Sequence, residues 1–213
     1  MRIKICGITK LSQGKAIAQL GATMLGFICV HRSPRYIRPF QIQAVIKELP
    51  TTVGCIGVFA NASLLEIEQV LNKAELTGIQ LHGDESPWFC SQIKQRFSHV
   101  ELIKAFRIKT PQSLKVIPAY FDKVDTLLLD AHHPTLLGGT GLTLNWEILE
   151  GFDPPLPWLL AGGLTPNNIK QSLTRLHPNG IDLSSGVECS PGNKNLTKVA
   201  ELFTLLQNIN LLE

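Results

Sequence analysis

Short apolar segments recur along the whole chain at nearly even intervals. Each is five to seven residues long and rich in β-branched or aromatic residues, and their first residues lie 22 to 32 positions apart. A continuous apolar run of this length is typical of a parallel strand, because both faces of such a strand are buried. The segments lie near residues 2–6, 24–29, 53–59, 78–82, 100–106, 124–130, 156–161 and 180–184.

The intervals between these segments carry helical signals. Residues 10–20 and 195–211 place apolar side chains at helical spacing, and residues 63–73 open with the capping box Ser63 to Glu66. A cap residue followed by proline at the first helical position marks further helix starts. These pairs are Ser86-Pro87, Thr110-Pro111 and Thr165-Pro166.

Strand alternating with helix predicts an α/β fold with a parallel sheet. Eight strands and about eight helices favour a single (β/α)8 TIM barrel, with residues 1–213 as one domain. A doubly wound sheet is the alternative, but it usually has fewer strands, and no GxGxxG follows the first segment. The longest irregular stretch, residues 131–144, is rich in glycine, and connections of that length are often functional.

Composition excludes several classes of protein. The chain has 213 residues, of which 44% are hydrophobic, so it can build a sizeable core. A net charge of +3 is too small to indicate nucleic acid or an anionic membrane as a partner. The five cysteines are widely spaced, which excludes CxxC motifs and favours free thiols in a reducing compartment.

Targeting signals are not evident in the sequence. The N-terminus lacks an apolar signal run, and no stretch approaches 18 consecutive apolar residues. We therefore expect a cytoplasmic protein, with a removed transit peptide as the alternative.

Polar residues recur at the carboxyl ends of the predicted strands. Alternate residues of a barrel strand point to the interior and to the helix layer, and active sites of this fold lie at the carboxyl ends. The apolar residues of opposite parity suit the helix layer, which leaves the polar ones over the barrel mouth. These are Lys4 and Cys6, Gln80 and His82, Lys104 or Arg107 depending on register, Asp130, and Asp182 and Ser184.

Each of these residues also has a structural interpretation. A lone Cys6 is more often a small core residue, a lone His82 is more often structural, and Asp182 could simply pair with Lys4. Asp130 follows three leucines, so its carboxyl must be solvated, paired or functional. The adjacent His132-His133 has no evident third ligand, so we expect a solvated loop and no metal site.

Two glycine-rich turns favour a phosphate site. Gly162-Gly163 ends the seventh strand before a helix, and Ser184-Ser185-Gly186 ends the eighth. Glycines allow backbone N–H groups to approach an anion, and a helix N-terminus favours negative charge. Because the loops after strands seven and eight often bind phosphate in this fold, we expect these residues to do so together.

Over essentially its full length the chain resembles the phosphoribosylanthranilate isomerases of tryptophan biosynthesis. The resemblance is specific because the motifs occur as an ordered set, although AGGL alone is also found in other phosphate-binding barrels. The motifs are KICGIT (4–9), SPRY (33–36), GVF (57–59), QLHGDE (80–85), KAFR (104–107), LLD (128–130), GGTG (138–141), AGGLTP (161–166) and DLSSGVE (182–188) with Pro191-Gly192.

The resemblance implies a cofactor-free Amadori rearrangement of N-(5-phosphoribosyl)anthranilate to an open-chain 1-deoxyribulose 5-phosphate. It implies Cys6 as general base, Asp130 as general acid and Arg35 as the contact to the anthranilate. The remaining substrate-binding candidates are His82, Gly162, Gly163, Asp182, Ser184, Ser185 and Gly186. The expected partner is this small-molecule substrate alone, and monomer and homodimer both stay open. Lys4, two residues before Cys6, is a candidate cation that would increase its thiolate fraction.

Two departures from the family pattern lie at the end of the glycine-rich stretch and directly after it. Leu142 stands where many relatives have a polar residue, and Asn145 stands where Asp is usual, although Asn145 also suits a helix cap.

Two other functions stay open at this stage. Another sugar-phosphate enzyme, such as an epimerase or indole-glycerol-phosphate synthase, would need metal ligands or catalytic lysines and glutamates that are sparse here. A non-catalytic phosphate-binding barrel would keep the glycine turns and lose the acid or the base, yet Cys6 and Asp130 are both present.

Overall fold

A computed structural model describes residues 1–130 and 146–209. Eight parallel strands pair in chain order, and the eighth pairs with the first, so the sheet closes into a barrel. The predicted (β/α)8 fold is therefore confirmed. The strands are β1 (Arg2–Cys6), β2 (Met24–Ile28), β3 (Gly54–Phe59), β4 (Gly78–Leu81), β5 (Glu101–Arg107), β6 (Thr126–Asp130), β7 (Trp158–Ala161) and β8 (Gly180–Leu183).

Six α-helices surround the barrel within the described residues. Ser63 and Ser86 act as the predicted N-caps, because their hydroxyls accept hydrogen bonds from the N–H groups of Glu66 and Phe89. The helices are α1 (Leu11–Gln19), α2 (Pro39–Ile46), α3 (Leu64–Leu71), α4 (Pro87–Arg96), α5 (Pro166–Arg175) and α6 (Leu196–Asn208).

The expected count of about eight helices is too high for the described part of the chain. The segment that begins at Thr110-Pro111 is a 3₁₀ helix, Pro111–Tyr120, with Pro118 inside it. Proline lacks the N–H that an α-helix needs at that position, and its ring clashes with the preceding turn. A short 3₁₀ helix, Trp146–Leu149, precedes β7, and another, Ser185–Val187, follows β8.

The strand register separates two apolar layers. The interior of the barrel is filled by side chains from five strands, namely Met24, Ile56, Ile103, Ala105, Leu128, Leu159 and Ala161. A larger cluster, which includes Ile3, Ile5, Ile79 and Leu81, packs between the strands and the helices. The expected alternation is thus present, and Lys4, Cys6, Gln80, His82 and Asp182 share the interior side with the smaller cluster.

Strand β5 resolves the alternative between Lys104 and Arg107. Arg107 has the parity of Ile103 and Ala105, and its Cα pairs with that of Asp130 at the mouth. Lys104 has the opposite parity and lies behind the barrel wall, where its Nζ contacts Glu85 Oε2 at 3.0 Å.

A small antiparallel hairpin follows β8 and its 3₁₀ turn. Its strands are β9 (Glu188–Ser190) and β10 (Asn193–Lys194). It carries Glu188 and Lys194, both buried, to the side of the barrel mouth. In the described ranges, no helix is long and apolar enough to cross a membrane.

Candidate active site

One cavity at the carboxyl ends of the strands brings together all ten predicted site residues. Its volume is about 240 Å³. The ten are Cys6, Arg35, His82, Asp130, Gly162, Gly163, Asp182, Ser184, Ser185 and Gly186. The location of nine of them follows from strand parity and from the two glycine turns, while Arg35 reaches the cavity from the loop after β2. Their individual roles stay predictions.

The thiol of Cys6 lies buried at the end of β1. Its neighbour across the ladder is Gly26 of β2, and a Cβ there would come within 2.6 Å of the sulfur and 3.0 Å of Lys4 Nζ. A side chain at position 26 would therefore displace the thiol or the ammonium group. Lys4 Nζ lies 3.0 Å from Asp182 Oδ2, so the base candidate stands beside a buried ion pair.

Burial raises the pKa of Cys6, and the Lys4 ammonium opposes that rise without cancelling it. The candidate cation is thus in place and acts on the pKa of Cys6 in the expected direction, but desolvation outweighs it and the net shift is upward. Burial acts to lower the pKa of Lys4, yet Asp182 and Cys6 together raise it, so Lys4 stays protonated. Burial raises the pKa of Asp182 more than Lys4 lowers it.

The carboxyl of Asp130 lies in a more open setting than the thiol. It ends β6, and its side chain is 23% exposed. His82 Nε2 lies 3.6 Å from Asp130 Oδ2, which is longer than a hydrogen bond. The same cavity therefore holds an enclosed base candidate and a partly solvated acid candidate.

Arg35 follows β2 and is held from behind by the hairpin. Its Nε donates to Glu188 Oε1 at 3.0 Å and its Nη2 donates to Oε2 at 2.7 Å. Lys194 Nζ also donates to Glu188 Oε1, at 2.8 Å, and to the carbonyl of Ser184 at 3.3 Å. Burial acts to raise the pKa of Glu188, but Arg35 and Lys194 together lower it. One carboxylate thus links the predicted anthranilate contact to the loop after β8.

The two glycine turns approach each other at the cavity. A Cβ on Gly186 would overlap the carbonyl oxygen of Leu164, so only glycine lets the loop after β8 pack against the loop after β7. The helix α5 begins two residues beyond Leu164. Residues of both closely packed loops line the cavity, and phosphate binding by them stays a prediction.

Sequence reasoning missed several residues that line or support the cavity. Ser33 lines it, while Glu188 and Lys194 support Arg35. Ser33 and Glu188 lie in motifs already noted. Gln80, which strand parity placed over the barrel mouth without a role, also lines the cavity. Lys194 lies in a short hairpin that the apolar pattern does not reveal.

The expectation that the chain has no metal site can be tested only for the described residues. Across residues 1–130 and 146–209, no group of three His, Cys, Asp or Glu side chains could hold a metal ion. His132-His133, the GGTG stretch at 138–141, Leu142 and Asn145 lie outside the described residues.

The fold and the cavity define a (β/α)8 barrel with its candidate active site at the carboxyl ends of the strands. The family model described as N-(5'phosphoribosyl)anthranilate (PRA) isomerase matches residues 3–205. The chain belongs to this family. An N-(5'-phosphoribosyl)anthranilate isomerase of Rippkaea orientalis is 70% identical over 210 residues, which cover 99% of this chain and 98% of that relative.

Solved structures give the same family. The phosphoribosyl anthranilate isomerase of Thermotoga maritima superposes with a TM-score of 0.89 at 31% identity, covering 98% of this chain and 99% of that one. A phosphoribosyl anthranilate isomerase in complex with reduced 1-(o-carboxyphenylamino)-1-deoxyribulose 5-phosphate gives 0.86 at 29% identity, with coverage of 98% and 99%. Another structure shows monomers generated from the dimeric T. maritima enzyme, with a TM-score of 0.84 at 28% identity and coverage of 97% and 98%.

Proposed function

We propose that this chain isomerises N-(5'-phosphoribosyl)anthranilate to 1-(2-carboxyphenylamino)-1-deoxyribulose 5-phosphate, with Cys6 as general base and Asp130 as general acid. The observation that carries the residue roles is that a thiol and a carboxyl line one cavity at the mouth of a barrel of this family. The reaction moves protons between positions of one molecule and needs no cofactor.

The chemistry begins with ring opening. Asp130 donates a proton to the ring oxygen, and the bond from that oxygen to C1′ breaks to leave an iminium ion. The iminium acidifies the hydrogen on C2′, and the Cys6 thiolate removes it to give an enolamine. The enol proton then leaves its oxygen as C1′ gains a proton, which forms the ketone. Proton exchange with solvent restores the thiolate and the carboxylic acid.

The remaining cavity residues would bind the substrate. Arg35 presents a cation to the anthranilate carboxylate, while Gly162, Gly163, Ser184, Ser185 and Gly186 cradle the phosphate. Asp182 Oδ1 is buried and has no hydrogen-bond partner among the described residues, which suits an acceptor for a sugar hydroxyl. His82 lies beside the acid and faces the same space.

The test is the turnover of freshly generated substrate, which is measured as the decrease in the fluorescence of that substrate. Cys6→Ser and Asp130→Asn should each lower kcat by about 10²- to 10⁴-fold without unfolding the protein. Cys55→Ser is the matched control, because Cys55 is a buried thiol of β3 that lies in the helix-facing layer. Turnover that survives either active-site change would contradict the corresponding role. A folded parent without turnover would contradict the activity itself.

The proposal extends to the setting of the enzyme. Residues 1–213 would form one domain that acts in the cytoplasm on a small molecule, without nucleic acid or membrane as partner. Both monomer and homodimer fit the proposal, and light scattering of the purified protein distinguishes them.

A further inference from the structure

Gln80 is a buried polar residue that the proposed chemistry does not yet use. It lies on β4, is 1% exposed, and lines the same cavity as Cys6 and Asp130. Its side chain contacts His82, two residues further on the same side of the strand, at 2.9 Å between Nε2 and Nδ1. The amide carbonyl Oε1 is buried and has no hydrogen-bond partner among the described residues.

The contact selects one tautomer of His82. In the orientation that places the amide Nε2 rather than Oε1 against the ring, Nε2 donates, Nδ1 of a neutral imidazole accepts, and the ring proton resides on Nε2. That Nε2 faces Asp130 Oδ2 at 3.6 Å. Contacts of this kind are often long in the absence of substrate and shorten in the reactive complex. In this tautomer Gln80 donates to His82, and the Nε2–H of His82 faces the carboxyl of Asp130.

This direction matters for a general acid. A protonated carboxyl has one oxygen that accepts and one O–H that donates. When the imidazole N–H points at Oδ2, that oxygen acts as the acceptor and the acidic proton resides on Oδ1. With the other tautomer, Nε2 would carry a lone pair and would attract the acidic proton towards the imidazole and away from the substrate.

We propose that Gln80 is a positioning residue for the general acid: it holds His82 as the Nε2–H tautomer, and His82 in turn orients the Asp130 proton towards the sugar ring oxygen. The inference rests on the proposed function, because it assigns a role relative to Asp130 as acid. Gln80 would affect the reaction only through His82, without contacting the substrate itself.

The first measurement is the tautomer itself. Nitrogen-15 NMR of the histidine-labelled protein distinguishes Nε2–H from Nδ1–H, and His82→Gln identifies the resonances of His82 among those of the six histidines. We expect the Nε2–H form in the parent. Gln80→Glu replaces the donor by an acceptor of the same shape and should convert His82 to the Nδ1–H form. A merely structural Gln80 would leave the tautomer unchanged.

The second measurement is turnover. Gln80→Glu should lower kcat by roughly 10- to 100-fold, a part of the 10²–10⁴ that a general acid supplies, and should change KM less. Gln80→Met removes both polar atoms at similar volume, so it tests the role if Gln80→Glu does not fold. It should lower kcat by a smaller factor, because the tautomer is then unselected rather than reversed.

The outcomes separate the two proposals. An Nδ1–H form of His82 in the parent, or unchanged kcat in folded Gln80→Glu or Gln80→Met, overturns the positioning role alone. Turnover that persists in Asp130→Asn overturns the acid assignment, whatever the tautomer of His82.

Discussion

Two buried lysine–carboxylate pairs of the barrel have the same distance between nitrogen and oxygen but lie on opposite sides of the barrel wall. Lys4 and Asp182 meet at 3.0 Å inside the barrel, and Lys104 and Glu85 meet at 3.0 Å behind its wall. The side chains of all four are less than 10% exposed. Chemical type and burial therefore do not distinguish the pairs, and the difference lies in what surrounds them.

The outer pair is surrounded by hydrogen-bond partners. Lys104 Nζ also contacts the carbonyl oxygens of Leu81, Gly83 and Ala105 at 2.9 to 3.3 Å. Glu85 accepts from the N–H groups of Asn61 and Gly83. This pair ties the turn after β4 to β5, and its bonding capacity is used within the protein.

The inner pair has a hydrogen-bond acceptor that no described residue uses. Asp182 Oδ1 has no partner among the described residues and lines the cavity, and Lys4 stands beside the Cys6 thiol. Buried polar groups are normally satisfied, so an unused acceptor at a cavity points to a ligand, whereas a saturated pair points to structure.

The largest expected effect is on stability, from Lys104→Met. Removing one partner of a buried pair leaves the Glu85 charge uncompensated, and the free energy of unfolding should fall by about 3–5 kcal/mol. Urea denaturation measures it, and adding Glu85→Gln should recover part of the loss. A decrease below about 1 kcal/mol, typical of exposed pairs, would contradict the structural role.

Lys4→Met should change the pH dependence of catalysis. The base acts when deprotonated, and burial already raises the pKa of Cys6, so the parent's kcat/KM should still rise with pH above about 8.5, the usual pKa of cysteine. Without Lys4 that pKa rises further, and kcat/KM near neutral pH should fall about 10- to 100-fold. At high pH both proteins form the thiolate, so the deficit should shrink.

The measurement for Lys4→Met is kcat/KM of the folded protein across that pH range, with circular dichroism to establish folding. A deficit that is the same at every pH would contradict a role of Lys4 in the ionisation of Cys6.

Glu188→Gln tests an ion pair of intermediate burial, because Arg35 is partly exposed whereas Glu188 is buried. The amide keeps the shape and loses the charge that fixes Arg35, so KM should rise about tenfold, the equivalent of one charged hydrogen bond, while kcat changes less. Steady-state kinetics measure both constants. A fall in kcat at constant KM would instead link this carboxylate to the chemical step.

The smallest effect is expected for an exposed pair. Lys15 Nζ contacts Glu48 Oε2 at 2.8 Å in open solvent. Lys15→Met should leave the thermal midpoint unchanged within error, because exposed pairs add little. A clear decrease in the midpoint would show that burial is not what separates the strong pairs from the weak ones.

Much of this arrangement could be predicted from the sequence. Apolar segments of even spacing define eight parallel strands, and parity alone carries Cys6 and Asp182 to the mouth. The partner of Lys104 could not be predicted, because one position of register decides whether it faces the interior or the helices. The cap and proline at Thr110-Pro111 predict the start of a helix but not its type, which depends on Pro118 inside the segment. The net pKa shift of Cys6 depends on its burial, which no local pattern gives.

The burial of Cys6 also affects how readily its thiol is oxidised or alkylated. Oxidants and alkylating agents attack exposed thiolates, whereas this thiol is buried and its burial raises its pKa. Cys189, at the surface of the hairpin, is the cysteine that such reagents meet first. Mass mapping after brief alkylation should therefore find Cys189 modified while turnover persists. A general base at this buried position would therefore stay intact under mild oxidation that modifies Cys189.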